Sequence, residues 1–212
     1  MKALVLNGPN HAFDKSAPII HEFLSKSVDS TITDDKNVLA DGLRHFDVLV
    51  FGTGFTRRER LPDGARKLHY ELTEAQEEGL YRFVREGKGL VGIHGTGWWT
   101  SGRHAELTGG HANWHPPGLH FTVKIEEPGH PITQGIGDFE VDDEIYMSAY
   151  DPTIKILASA SWSNVNHPMA WTHSYGKGRV FFTTLGHGPN TFEVPAVQRL
   201  VTNAVVWASG QS

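Results

Sequence analysis

The feature that most constrains this fold is a pair of short, almost uninterrupted apolar segments in the first half of the chain. Asp47–Gly52 reads DVLVFG and Gly89–His94 reads GLVGIH. This continuous pattern is typical of strands that are covered on both faces. Lys2–Leu6 is predicted to be the first strand of the same sheet. Because such segments alternate with helical patterns, we expect βαβ units and a parallel sheet, which is an α/β fold.

Helical signals separate the predicted strands. Ser16 is predicted to cap a helix that continues to about Ser27, and residues 73–76 (TEAQ) have capping-box spacing for a helix that ends at Gly87. An amphipathic pattern predicts a closing helix over Glu193–Trp207. Further strands are predicted at His120–Glu126, Ile154–Ser159, Met169–His173 and Arg179–Leu185. Since no linker or repeat interrupts this order, we expect one domain over residues 1–212.

Composition narrows the function classes. The 212 residues have a formal net charge of −5 and no basic run beyond Arg57-Arg58, which argues against a nucleic-acid surface. The absence of cysteine excludes disulfides, thiolate metal sites and a cysteine nucleophile. The apolar stretch in Met1–Gly8 is too short for a signal sequence or a membrane span. We therefore expect a cytoplasmic protein without nucleic-acid or membrane partners. The sequence leaves a homo-oligomer open.

Polar or glycine-rich segments follow four predicted strands. They are Asn7–His11, Gly52–Phe55, His94–Trp99 and the segment at His187. Ligands of open parallel sheets bind outside the carboxyl ends of the strands, so one shared cleft is predicted. The sharpest segment is residues 92–97 (GIHGTG), which is typical of a tight turn that exposes its central side chain, here His94. The alternative is a structural turn with an incidental histidine.

Three other features are candidates for chemistry. The segment from His104 to His130 is rich in histidine, and imidazole binds zinc and related ions, but no spacing here is diagnostic. Three acids at residues 142–144 (DDE) precede an apolar segment, where a carboxylate can have a shifted pKa. The long charged loop from Thr53 to Thr73 is interpreted as either a lid or a surface excursion.

Five motifs, in order, resemble the ThuA (trehalose utilisation) family. They are GKGLVGIH at 87–94, LTGG and the following His-Pro within 107–116, HPIT at 130–133, DEIY at 143–146, and YGKGRV with LGH within 175–187. The resemblance implies a flavodoxin-like three-layer sandwich with a mostly parallel central sheet, related to class I glutamine amidotransferases. His94 stands where those enzymes have a cysteine nucleophile. Glutamine hydrolysis through a thioester is therefore excluded.

The resemblance also implies a role in catabolism of trehalose or a related disaccharide, with a 3-keto sugar as one candidate substrate. The predicted catalytic residues are His94, Glu144 and His187. The predicted substrate-binding residues are Asn7, His11, Trp98, Trp99 and His115. Metal binding is left open, and a divalent, zinc-like ion would be held by His94, His115, Glu144 and His187. The alternative is a non-enzymatic sugar-binding or scaffold protein on the same fold.

Overall fold

The computed structural model describes residues 1–98 and 103–211. The strands in these residues are β1 (Lys2–Leu6), β2 (Asp29–Thr33), β3 (Val48–Phe51), β4 (Thr56–Arg60), β5 (Arg66–Tyr70), β6 (Gly89–Ile93), β7 (Gly110–Trp114), β8 (Leu119–Ile125), β9 (Phe139–Asp143), β10 (Met147–Tyr150), β11 (Lys155–Trp162), β12 (Val165–Tyr175) and β13 (Gly178–Thr183). The α-helices are α1 (Phe13–Leu24), α2 (Val38–Asp41), α3 (Glu74–Arg85), α4 (His104–Thr108) and α5 (Pro195–Ala208).

A mixed central sheet organises the fold. Its described strands follow the order β2-β1-β3-β6-β13-β12-β11-β8-β9. The five strands from β2 to β13 pair in parallel, and the four beyond β13 continue the sheet with antiparallel pairing. The predicted α/β class is confirmed, with its parallel pairing confined to this five-stranded core.

The parallel core is covered on both faces, as the apolar segments predicted. In β3, Val48 and Val50 point into a cluster with α1 and α5. Leu49 and Phe51 point the other way, into a cluster with α2 and α3. Successive side chains of a strand face opposite sides, so a run of four buried apolar residues requires a layer on each side. The result is a three-layer arrangement.

The helix signals were predicted with unequal success. Thr73 caps α3 with a complete capping box, because Gln76 N–H donates to its hydroxyl and the Gln76 side chain accepts from its backbone N–H. Ser16, in contrast, lies inside α1 and donates to the carbonyl of Ala12. The cap assigned to Ser16 is therefore wrong. The N-cap of α1 lies four residues earlier, at Ala12, which is in the left-handed region at φ 51°.

The charged loop from Thr53 to Thr73 contains an antiparallel hairpin of β4 and β5, which we call the hairpin. A second small sheet pairs β7 with β10. The sequence did not predict these four strands or β9. No helix in residues 1–98 and 103–211 is long and apolar enough to cross a bilayer.

Candidate functional site

His94 lies directly after β6, at the carboxyl edge of the parallel core. Its side chain is wholly buried, so the expectation of an exposed imidazole is wrong. Its Nδ1 lies 2.6 Å from the carbonyl oxygen of Thr184. Because a carbonyl only accepts, Nδ1 carries a proton, and in the neutral form of the ring the lone pair lies on Nε2. The Tyr146 hydroxyl donates to that nitrogen at 2.5 Å.

The turn after β6 needs small residues because other chain segments press against it. A Cβ on Gly95 would lie 2.6 Å from the carbonyl oxygen of Gly52 and 2.9 Å from Cδ2 of His11. His94 itself has a positive φ of 32°, a strained conformation for a residue with a side chain. The turn therefore joins the ends of β1, β3 and β6, which brings His11 close to His94.

Asp143, at the end of β9, fixes the two segments that carry the other site residues. Its buried carboxylate accepts from the backbone N–H groups of Glu144 (2.8 Å), Gly186 (2.7 Å) and His187 (3.2 Å), and from the Thr191 hydroxyl (2.6 Å). A carboxylate with several donors holds them strongly. Asp143 thus sets the positions of Glu144 and His187 relative to each other.

Three possible ligand atoms, one each from His94, Glu144 and His187, lie close together. His187 Nδ1 lies 3.3 Å from His94 Nε2, and Glu144 Oε2 lies 3.4 Å from His94 Nε2 and 3.2 Å from His187 Nδ1. We call His94, Glu144, Tyr146 and His187 the site floor. Oε2 of Glu144 is buried and has no hydrogen-bond partner in residues 1–98 and 103–211. A buried carboxylate oxygen aimed at two imidazoles suits a proton or a cation between them.

The surroundings shift the pKa of two groups in the site floor. Burial raises the pKa of Glu144, but the close contact with His94 and the nearby imidazoles of His94, His187 and His115 outweigh it, so the pKa is lowered. Burial, with the charge of Glu144, raises the pKa of Tyr146 well above its ordinary value. Glu144 is therefore an acceptor at neutral pH, whereas Tyr146 remains a hydroxyl donor.

His11 is a third imidazole beside those of His94 and His187. Its ring lies 4.9 Å from the His94 ring and 6.0 Å from the His187 ring, edge to face in both pairs. Burial and the two neighbouring histidines lower the pKa of His11 to about 3. Single ligand atoms of His11, His94 and His187 all lie within 4.8 Å of one another. His11 is therefore neutral near pH 7 and has a lone pair available.

His115 and Trp98 lie at the edge of the site floor. His115 Nδ1 donates to the carbonyl of Pro116 at 2.8 Å and lies 3.3 Å from Glu144 Oε1. That nitrogen donates to a carbonyl and has no lone pair for an ion, and His115 is not among the three histidines whose ligand atoms lie within 4.8 Å of one another. The Trp98 ring lies 5.7 Å from the His115 ring and 5.5 Å from the Tyr146 ring. Trp99 lies outside the residues that the structure describes.

Other predicted or candidate residues lie apart from this cluster. Asn7 lines a separate cavity of about 500 Å³ with Asp35, Phe55 and Glu71. Of the remaining histidines between His104 and His130, His120 pairs at the surface with Asp142 at 2.8 Å. His104 is buried beside His111, at 6.1 Å between ring centroids. The histidine-rich segment is therefore not one metal site.

Sequence reasoning did not select Tyr146 or Asp143 as site residues, although both lie in the DEIY motif. Glu144 and Tyr146 are two positions apart, and in an extended segment such residues share a face. That spacing was a usable signal for Tyr146. No sequence signal was available for Asp143, since its partners Gly186, His187 and Thr191 are more than forty positions away.

Comparison with known families gives one match over nearly the whole chain. The sequence pattern of the family described as ThuA, trehalose utilisation, matches residues 2–208. No curated protein sequence matches.

Solved structures share the fold at low identity. A ThuA-like protein from Bacteroides uniformis is 19% identical, with a TM-score of 0.77 over 98% of this chain and 91% of that one. A cytoplasmic protein from Salmonella typhimurium LT2 is 15% identical, with a TM-score of 0.71 over 98% and 99%. A beta-galactosidase from Rahnella sp. R3 is 13% identical, with a TM-score of 0.68 over 100% of this chain and 31% of that one. These likenesses show the fold alone.

Proposed function

Because the chain belongs to the ThuA family, we propose that it is an enzyme of carbohydrate catabolism that works through the histidine–carboxylate site floor. The observation that carries the proposal is the meeting of His94 Nε2, His187 Nδ1 and Glu144 Oε2 within 3.4 Å of one another. Imidazole and carboxylate together suit proton transfer beside a carbonyl group, because an imidazole accepts a proton near neutral pH and a charged carboxylate stabilises the imidazolium that forms. A keto sugar derived from a disaccharide is the substrate that we favour.

The four residues of the site floor have different tasks in this proposal. The His187 side chain is 53% exposed, whereas those of His94 and Glu144 are 0% and 8% exposed. His187 is therefore the group that reaches the sugar and takes a proton from the carbon next to the carbonyl. The C–H electron pair then forms the enolate. Glu144 stabilises the resulting imidazolium, and His94 acts indirectly by holding both groups in place.

The same atoms fit a divalent, zinc-like ion, which we propose as the alternative to metal-free proton transfer, because an ion on Nδ1 of His187 would leave that ring no lone pair for a proton. Atoms that bind zinc tetrahedrally at about 2.0–2.2 Å lie about 3.3–3.6 Å apart, close to the 3.2–3.4 Å separations in the site floor. His94, Glu144 and His187 would hold the ion, with His11 as a further ligand in place of His115. The Thr184 carbonyl already orients His94 as carbonyls orient metal-binding histidines. Such an ion would polarise the substrate carbonyl.

Ion binding and proton sharing make opposite demands on Tyr146. Its hydroxyl occupies the lone pair of His94 Nε2, so an ion at that nitrogen must displace it. Tyr146→Phe should then tighten binding of zinc or cobalt, measured by titration of protein stripped of metal. Unchanged or weaker ion binding in this variant would contradict the metal proposal while leaving the proton-transfer proposal intact.

The enzyme proposal is tested by turnover of oxidised disaccharides, with and without added divalent metal. We expect wild-type protein to consume a 3-keto disaccharide and His187→Asn to lose at least about 100-fold in kcat. His120→Asn is the matched control, since His120 is an exposed histidine that also contacts an acid. A wild-type protein whose tryptophan fluorescence responds to the sugar without consuming it would favour the sugar-binding or scaffold alternative.

Three further proposals depend on less direct support. One domain over residues 1–212 remains our prediction. It is supported by a single sheet that contains both the first strand, β1, and the last, β13. A cytoplasmic location is supported by the Salmonella protein of the same fold that is described as cytoplasmic. A small-molecule carbohydrate remains the partner that we propose.

A further inference from the structure

A cavity of about 650 Å³ lies between the hairpin and the site floor. It is lined by Asn10, His11, Thr56, Arg58, Arg66, Lys67, Leu68 and Trp98. His11 and Trp98 also contact the site floor, through His94 at 4.9 Å and Tyr146 at 5.5 Å between ring centroids. A ligand in this cavity would therefore lie next to the proposed reaction centre.

The two faces of the hairpin differ in charge balance. Residues that pair across an antiparallel ladder share a face, and side chains alternate along each strand. One face carries Arg57, Glu59, Lys67 and His69, and of these four only Lys67 also lines the cavity. On this face Glu59 contacts His69 at 2.6 Å, and Arg57 contacts Glu71 at 3.9 Å. Its charges are thus largely balanced within the protein.

The face turned toward the cavity carries Thr56, Arg58, Arg60, Arg66, Leu68 and Tyr70. It has three arginines and no acid. Arg60 and Arg66 are directly opposite each other, an arrangement of like charges that destabilises a ladder. None of the three has an ion pair in residues 1–98 and 103–211. In a chain with a net charge of −5, this face is a local concentration of unpaired positive charge.

Asn10 fixes the hairpin over the site floor. Its side-chain amide donates to the carbonyl of Thr56 at 2.7 Å, and its carbonyl oxygen accepts from the backbone N–H of Thr56 at 3.1 Å and the hydroxyl of Thr53 at 3.1 Å. Asn10 precedes His11, which belongs to the imidazole cluster. The arginine face and the imidazoles are therefore held by one short segment.

We propose that this cavity binds an anionic group on the substrate, so that the substrate is a sugar carrying a carboxylate or a phosphate. Arginine forks bind both groups through paired hydrogen bonds. Trp98 and exposed Leu68 supply apolar surface for the carbon-bound hydrogens of the ring. The inference depends on the proposed function only for the position of the reacting carbon.

The test is equilibrium binding of glucuronate, glucose 6-phosphate, glucose and inorganic phosphate to the full chain, measured by calorimetry. The double variant Arg58→Gln/Arg66→Gln removes two cavity-face cations, and Arg57→Gln is the control from the other face of the same hairpin. We expect at least one of the two anionic sugars, glucuronate or glucose 6-phosphate, to bind more tightly than glucose. The double variant should weaken that binding at least ~10-fold, and Arg57→Gln should leave it unchanged. The preferred acid distinguishes carboxylate from phosphate.

Three outcomes would overturn the inference. They are no saturable binding of either acid to the wild-type chain, equal losses in both variants, and binding of inorganic phosphate as tight as that of the sugar phosphate. Equal melting temperatures would show that the variants are folded. Failure of the proposed function is distinguishable, because a chain with no turnover can still bind the acids through the arginine face.

Discussion

The hairpin lines a cavity that it shares with His11 and Trp98, and these two residues lie against the site floor. The hairpin and the site floor are built in opposite ways. In the site floor, Glu144 is 6% exposed and His94 is wholly buried, and hydrogen bonds with Asp143, Tyr146 and Thr184 set their positions. In the hairpin, the arginines are exposed and make few contacts. The difference indicates that the site floor supplies reactive groups whose positions must be fixed. The hairpin supplies positive charge, which acts on a bound anion without an exact position. Substitutions should separate these two roles.

The largest effect is expected for Glu144→Gln. The variant removes the charge that stabilises a protonated His187. The kcat for a sugar that the wild-type protein consumes should therefore fall at least ~1000-fold. Its melting temperature should stay the same or rise, because a buried charged oxygen without a hydrogen bond is replaced by a neutral group. Glu140→Gln is the control, since Glu140 is an exposed acid beside His120. Retention of more than about a tenth of the activity would mean that Glu144 does not stabilise the imidazolium of His187.

A smaller effect, on both stability and activity, is expected for Asp143→Asn. The amide cannot accept from all four donors of the carboxylate, so the free energy of unfolding should fall by about 2–3 kcal/mol. Activity should fall as well, because the segments of Glu144 and His187 lose their common anchor. The neighbouring Asp142→Asn removes only an exposed contact with His120 and serves as the control in denaturant unfolding. Equal losses in the two variants would argue against the anchoring role.

Acid should destabilise the protein through its buried imidazoles. Burial, with a contribution from His111, lowers the pKa of His104 from 6.5 to about 3. Between these values the unfolded chain binds a proton that the folded chain does not, so stability is lost as pH falls from 6.5 towards 3. The slope from one such group is about 1.4 kcal/mol per pH unit. His104→Gln should make the unfolding free energy less steep over pH 6 to 4, and an unchanged slope would contradict this.

The smallest effect is expected in the hairpin. Arg66→Gln removes one of two like charges at paired positions of the ladder and removes no ion pair, so the melting temperature should change by less than ~2 °C and in the stabilising direction if at all. Thermal unfolding measures it directly. A clear loss of stability would mean that Arg66 has a structural task, and the contrast between hairpin and site floor would then be weaker.

Local patterns predicted the parallel core well. DVLVFG and GLVGIH became β3 and β6, each followed by a segment that reaches the site. The capping box at Thr73 also formed, because all of its atoms lie within one helical turn. Such features depend on neighbours in the sequence, so the sequence alone contains the necessary information.

The predictions that failed concern features that depend on contacts between residues distant in the sequence. The turn at His94 was expected to expose its side chain, but Tyr146 and the segment of His187 cover it. The hairpin was interpreted only as a lid or an excursion, since TRRER and RKLHY have too few apolar residues to indicate strands. The entry into α1 depends on positive φ values at His11 and Ala12, and neither residue is a glycine that would signal them.

Hydrogen–deuterium exchange at carbon tests the central claim most directly, because it detects proton removal even when no product accumulates. A 3-keto disaccharide, neutral or phosphorylated, would be incubated with the protein in deuterated water and followed by NMR. The account predicts that the wild-type chain incorporates deuterium beside the carbonyl faster than buffer does, and that His187→Asn loses at least about 100-fold of that rate. Exchange at the buffer rate, with a sugar that fluorescence shows to be bound, would contradict it.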